Sequence, residues 1–327
     1  MDSLPFYTIP QTQHVFSISL VSGKSITMKN AGPKGTCTFT EIIENESSFQ
    51  GSKRISSFHG KIVSPSSYSI CVHPDGTISF DMRLLFRTHD EALVFATING
   101  KGVQNNTKED DQMDSFVTFE TDDHTLNWLN KKIFVGKGSN ILGDKIEIDY
   151  YNLSNDHEED GIPSTDPDSF GLEYPFQPIP QARHLCSIKL VLKSAAMKNA
   201  GPGPNGTRVF TEVIGNASSF QGGKDFPNFH GKIIAPSSDW ICVHHDGTVS
   251  LDIRILFKTH DGGLVSGNCT GRAVRDIDDS TKSSLIASVV LETNEYNLKW
   301  LNGKIIIGKG RKLGIDKVMI DYYYYLN

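Results

Sequence analysis

The residues of this chain best suited to chemistry come in matched pairs. Asp81 and Arg83 stand two apart, and so do Asp252 and Arg254, a spacing that puts carboxylate and guanidinium on one face of a strand. A guanidinium oriented by its carboxylate is a planar fork of donors that would hold a carbonyl or enolate oxygen if it lined a cavity. The alternative is a solvated pair or an internal clamp, because that face lies opposite the apolar stripe of the same strand. His73 and His244 each follow a Cys-Val pair and are candidates for general acid or base, in company with the recurring His59, His230, His89 and His260. Each has the alternative of a structural histidine bonded to a carbonyl. Tyr68 and Trp240 are read as one column at a strand start, and Trp128 and Trp300 share a Trp-Leu-Asn motif. Such aromatics plug a barrel or, at its mouth, stack on an apolar ligand.

Other chemistries lack their residues. Neither H-x-H nor H-E-x-x-H is present, so no metal is expected, and no G-x-S-x-G elbow, Walker loop or dinucleotide fingerprint calls for a covalent serine or a cofactor. Cys37, Cys71, Cys186, Cys242 and Cys269 are odd in number and scattered, which favours free buried thiols over a disulfide framework. A net charge of -6 without a dense Lys/Arg run leaves no footprint for nucleic acid or an anionic membrane. No apolar stretch is long enough to insert in a bilayer, and the first twenty residues lack a signal-peptide pattern. Sequons at Asn45, Asn105, Asn152, Asn205, Asn216 and Asn268, with Asn45 matching Asn216, tilt toward N-glycans and a trimmed signal. Localisation is thus open between the secretory pathway and the cytoplasm.

The elements that position these residues are written twice. HVFSISL from His14 matches HLCSIKL from His184, a gapless block from Ser47 matches one from Ser218, and LNWLNKKIFVGKG matches LKWLNGKIIIGKG. A length of 327 residues with 38% hydrophobic content gives each copy its own core. Apolar residues alternate with period two, as in Ile78, Phe80, Met82, Leu84 and Phe86, and turn signals such as Pro74-Asp75-Gly76 and His245-Asp246-Gly247 separate the runs. The expected fold is all-β: two tandem antiparallel, calycin-like β-barrels forming a pseudo-dimer, with the first repeat at 1–153, an acidic Pro/Gly/Ser linker at 154–174 and the second repeat at 175–327. Homodimerisation is left open.

Read through Ser238-Asp239-Trp240, Asp246-Gly247, Leu251-Asp252-Ile253-Arg254 and Asp261-Gly262-Gly263, the second copy resembles the small β-barrel domain of unassigned function common in bacteria and fungi. The first copy departs at Tyr68-Ser69 and Asp90-Glu91, which argues that the two units differ in function. A fused pair of such barrels is similar to the fungal hetero-Diels–Alderases of tropolone sesquiterpenoid pathways. That resemblance implies a cofactor-free pericyclase: a hydroxymethyl tropolone loses water to give a quinone methide, which adds across an alkene of a humulene-type sesquiterpene to form a dihydropyran. Arg83 or Arg254, positioned by Asp81 or Asp252, would then donate to the heterodiene oxygen. His73 or His244 would assist dehydration, and Tyr68, Trp240, Trp128 and Trp300 would shape the apolar substrate's cavity. The alternatives are a non-catalytic carrier of apolar molecules, another isomerase or lyase, and an interaction module.

Overall fold

The computed structural model describes residues 11–29, 34–103, 113–154, 180–275, 283–313 and 316–326. The expected linker, Ser154 apart, and the Asn105 sequon lie outside them. Two compact units divide the chain, one within residues 10–181 and the other within 182–327.

In the first unit the strands are β1 (Gln11–Met28), β2 (Thr36–Ile42), β3 (Ser48–Gly51), β4 (His59–Val72), β5 (Thr77–Thr88), β6 (Leu93–Val103), β7 (Met113–Glu120), β8 (Ile133–Ser139) and β9 (Lys145–Ser154). They pair in the order β1-β3-β4-β5-β6-β7-β8-β9, and β9 returns to β1, so eight antiparallel strands close a barrel. β2 is a flap laid between the outer half of β1 and β4. The second unit repeats the plan with β10 (Ala182–Val191), β11 (Lys198–Gly203), β12 (Gly206–Glu212), β13 (Ser219–Gly222), β14 (Gly231–Val243), β15 (Val249–Thr259), β16 (Leu264–Arg275), β17 (Ser283–Thr293), β18 (Ile305–Lys312) and β19 (Lys317–Tyr325). Here β10 pairs with β13 and β19, and β14 with β15, which closes the second ring.

Period-two patterning is what makes these strands. Ile78, Phe80, Met82, Leu84 and Phe86 are all buried in one core, while Arg83 between them and Arg87 just after them are exposed. Gly76 and Gly247 turn the β4–β5 and β14–β15 hairpins at φ +82°, a backbone that side-chain-bearing residues rarely adopt. At the opposite end of each barrel, short 3-10 turns at Asn127–Lys131 and Tyr296–Gly303 carry the Trp-Leu-Asn motif. Its leucines, Leu129 and Leu301, are fully buried plugs, and its asparagines tie the turn back: Asn130 bonds Thr121 through both amide atoms, and Asn302 does the same with Thr293.

Two expectations change. Cys37 and Cys71 form a disulfide, because β2 and β4 lie side by side with these residues directly opposed, a proximity that their separation of 34 residues conceals. Cys186, Cys242 and Cys269 are free and buried, as their scatter in the sequence predicts. Among the sequons, Asn45, Asn205, Asn216 and Asn268 are exposed, but Asn152 is buried in β9, where a glycan has no room. The matched sequons at Asn45 and Asn216 also end on buried Ser47 and Ser218, whose hydroxyls accept the Val21 and Val191 N–H groups at 2.9 Å. Those serines have a structural reason to recur.

Candidate functional site

The paired carboxylates and guanidiniums do not line an interior. Arg83 meets Asp81 at 3.1 Å and Arg254 meets Asp252 at 3.3 Å, with all four side chains between 43% and 65% exposed. Strand parity explains the correction: Met82 and Ile253 take the core side, so their neighbours must point out. Exposed pairs of this kind contribute little, so Arg83→Ala or Arg254→Ala is expected to shift the urea-unfolding free energy by less than about 1 kcal/mol. A loss of several kcal/mol would contradict that placement. His73 and His244 are also off the core, at the hairpin ends, where Nε2 meets Ser79 Oγ at 2.8 Å and Ser250 Oγ at 2.5 Å. Trp128 and Trp300 pack on the cores at the plugged ends, Trp128 edge-on to Phe134 and Trp300 stacked on Phe226.

Tyr68 and Trp240 do not share a column. Tyr68 pairs with Met82 and Asp239 with Ile253, whereas Ser69 pairs with Asp81 and Trp240 with Asp252. The counterpart of Tyr68 is therefore Asp239. Trp240 stands half-exposed on the outer face, edge-on to Phe210, and its indole N–H donates to Ser238 Oγ at 2.9 Å.

With that register the two interiors can be compared residue by residue. The first is filled by aromatic rings: Phe16 stacks on Tyr150 at 4.7 Å and packs against Phe58, Phe119 and Phe134. In the second, Cys186 stands for Phe16, Leu251 for Phe80, Cys269 for Ile98, Leu291 for Phe119 and Ile306 for Phe134, all on the core side. Smaller side chains on the same eight-strand frame leave less of the interior filled. At the hairpin end, moreover, Ile241 and Ala273 are partly exposed where Ile70 and Gly102 are buried.

Asp239 sits within this interior. Its cross-strand neighbours, Thr211 on β12 and Ile253 on β15, share its face and are buried with it. Tyr68 in the first barrel bonds Ser22 Oγ at 2.7 Å, but Asp239 Oδ1 is buried without a hydrogen bond. Burial, reinforced by the negative charge of Asp252, pushes its carboxyl up to about 7. Nearby groups move out of reach of neutral pH: burial chiefly, and Asp239 next, push the Cys269 thiol up to about 12, and burial pushes the Tyr322 phenol well above its ordinary range. Among the described interior groups with a shifted proton affinity, Asp239 is the one left able to gain or lose a proton near neutrality.

A second constellation gathers residues that no sequence spacing brings together. His14 Nε2 lies 2.9 Å from Ser17 Oγ, which donates to Asp149 Oδ1 at 2.6 Å, and His184, Ser187 and Asp321 repeat the chain. The hydroxyl is committed to the carboxylate, so the histidine is not placed to take its proton as in an activated nucleophile. Burial lowers His14 to about 4, which keeps it neutral. At the plugged ends, His59 stacks on His89 and His230 on His260, with ring centroids 4.3 and 4.2 Å apart. Their recurrence is accounted for by that packing.

Among solved structures, the chain is similar to a conserved protein of unknown function from Rhodopseudomonas palustris, with 18% identity, 46% of this chain and 100% of that one covered, and a TM-score of 0.41. A β-barrel-like protein from Acinetobacter baumannii matches with 23% identity over 47% of this chain and 100% of its own, at a TM-score of 0.41. An enzyme from Penicillium herquei matches with 18% identity over 47% and 100%, at a TM-score of 0.34. A search of the curated proteins found no match. One family model, described as "Protein of unknown function (DUF3237)", matches residues 10–153 and again 180–325. Since those two stretches span both barrels, the chain belongs to the DUF3237 family, as two tandem copies.

Proposed function

We propose that the chain is a cofactor-free cyclase of secondary metabolism that seats apolar small molecules inside the second barrel. The narrower reading is a hetero-Diels–Alder addition of a tropolone-derived quinone methide to a humulene-type sesquiterpene, which forms a dihydropyran. The observation that carries it is the inequality of the interiors: the first is packed with rings throughout, while the second keeps Phe220, Phe229, Phe257 and Tyr322 but has smaller side chains at five of the first barrel's core positions, a partly exposed end and an acid raised to about 7. A concerted cycloaddition needs no nucleophile or metal, only two apolar partners in one geometry. Fixing them removes up to roughly 7–11 kcal/mol of barrier, and a donor at the heterodiene oxygen about 3 more. Because both arginines point away from the interior, that donor is sought inside the barrel.

Leu251→Phe combined with Cys269→Ile gives the second interior the first barrel's residues at two of these five positions. Supplied with a hydroxymethyl tropolone and humulene, the wild-type chain is expected to yield one dihydropyran stereoisomer by chiral chromatography. The filled variant, folded by circular dichroism, is expected to be at least tenfold slower. A wild-type product with the spontaneous isomer ratio would remove the cyclase reading and favour a carrier, which binds apolar molecules without changing them.

A further inference from the structure

Among the described residues of the second barrel, Asp239 is the one buried carboxyl. A buried carboxyl kept for structure is paired or hydrogen-bonded, because its desolvation is otherwise uncompensated. Asp239 Oδ1 has no such partner, and the first barrel shows that the position can be filled at no such cost, by a tyrosine bonded to Ser22. A chain that keeps an unpaired acid in an apolar interior loses stability there, a loss that active sites commonly carry.

We infer that Asp239 is a catalytic acid, which gives its proton to an oxygen of an apolar ligand inside the second barrel and takes as substrate a molecule whose hydroxyl leaves as water. The inference rests on the reading of that interior as the reaction site. The carboxyl O–H bond breaks as its proton moves to the leaving hydroxyl. The carbon–oxygen bond then breaks with its electron pair on water, and the conjugated enolic O–H of the same ligand returns a proton to the Asp239 carboxylate. The net change is loss of one water, with the carboxyl regenerated and nothing oxidised or reduced. Among the described residues no other interior group is suited to this, since Cys186, Cys269 and Tyr322 hold their protons far above neutral pH. An apolar surrounding keeps the acid protonated until a ligand oxygen reaches it, and a carboxyl that titrates at about 7 is matched to proton transfer at neutral pH.

The test separates dehydration from cycloaddition. The full chain is given a hydroxymethyl tropolone and an excess of a simple thiol, with no alkene, so that any quinone methide is trapped as a thioether. Wild-type protein is expected to accelerate thioether formation, with a rate that falls above about pH 7. Asp239→Asn is expected to lose at least 100-fold in rate and the pH limb with it, while tropolone binding, read from tryptophan quenching, is retained. Asp239→Glu should recover part of the rate. An Asn variant with the wild-type rate and pH limb overturns the assignment, and so does wild-type protein that traps no thioether above background. Thioether without dihydropyran, once humulene is supplied, overturns only the cycloaddition and leaves the acid in place.

Discussion

Replacing Asp239 by asparagine is expected to make the second barrel more stable at pH 8, by up to about 4 kcal/mol. The wild-type carboxyl is raised from 3.8 to about 7, and a tenfold change in proton affinity between folded and unfolded states corresponds to about 1.4 kcal/mol of linked stability. The sign follows from proton uptake. Between those values the folded state binds the proton more tightly than the unfolded state, so stability falls as pH rises. What the group contributes is fully present below the unfolded value and lost as pH passes through about 7. An amide of the same shape never ionises and escapes that loss. Urea unfolding at pH 4, 6 and 8 checks it: the advantage of the variant should grow with pH and level off above 8. A constant difference across that range would mean that Asp239 has an ordinary carboxylate environment. One substitution thus stabilises the fold and removes the proposed acid.

Cys71→Ser should cost the first barrel about 3–4 kcal/mol. The disulfide to Cys37 closes a loop with a sequence separation of 34, and the chain-entropy account assigns that much to a loop of this size. It pins the β2 flap to β4, where Ile26 and Phe39 leave apolar surface in solvent. The second copy has no equivalent, because Cys242 pairs across strands with Arg208. A reductant should therefore lower the unfolding midpoint of the first unit alone. If both units, or neither, respond to reduction, the disulfide does not hold the flap as described.

Alternation was enough to read the fold from sequence, since Ile78 through Phe86 can bury one face only if the intervening residues turn outward. The same parity already told against an inward guanidinium at Arg83, and the structure follows the parity. Asp239 was legible in principle: it shares a face with Ile241 and Val243, so a charged residue interrupts an apolar stripe. A one-residue slip that set Tyr68 against Trp240 hid it, because adjacent strand residues belong to opposite faces. The Cys37–Cys71 bond was not legible, since pairing across β2 and β4 depends on register rather than spacing. His14, Ser17 and Asp149 come together only when the first and last strands of a barrel meet.

That meeting of first and last strands also sets the order of events as the chain is made. β1 cannot be enclosed until β9 exists, and β10 waits for β19, so each barrel depends on its most distant pairing and folds late. At about 5–20 residues per second, the first barrel has roughly ten to thirty seconds to shut before the second can. β1 and β10 share four of seven residues in HVFSISL against HLCSIKL, and either could dock on an open β9. Synthesis from the N-terminus occupies β9 before β10 can compete for it. Refolding the whole chain from denaturant removes that head start and exposes the duplication to strand exchange.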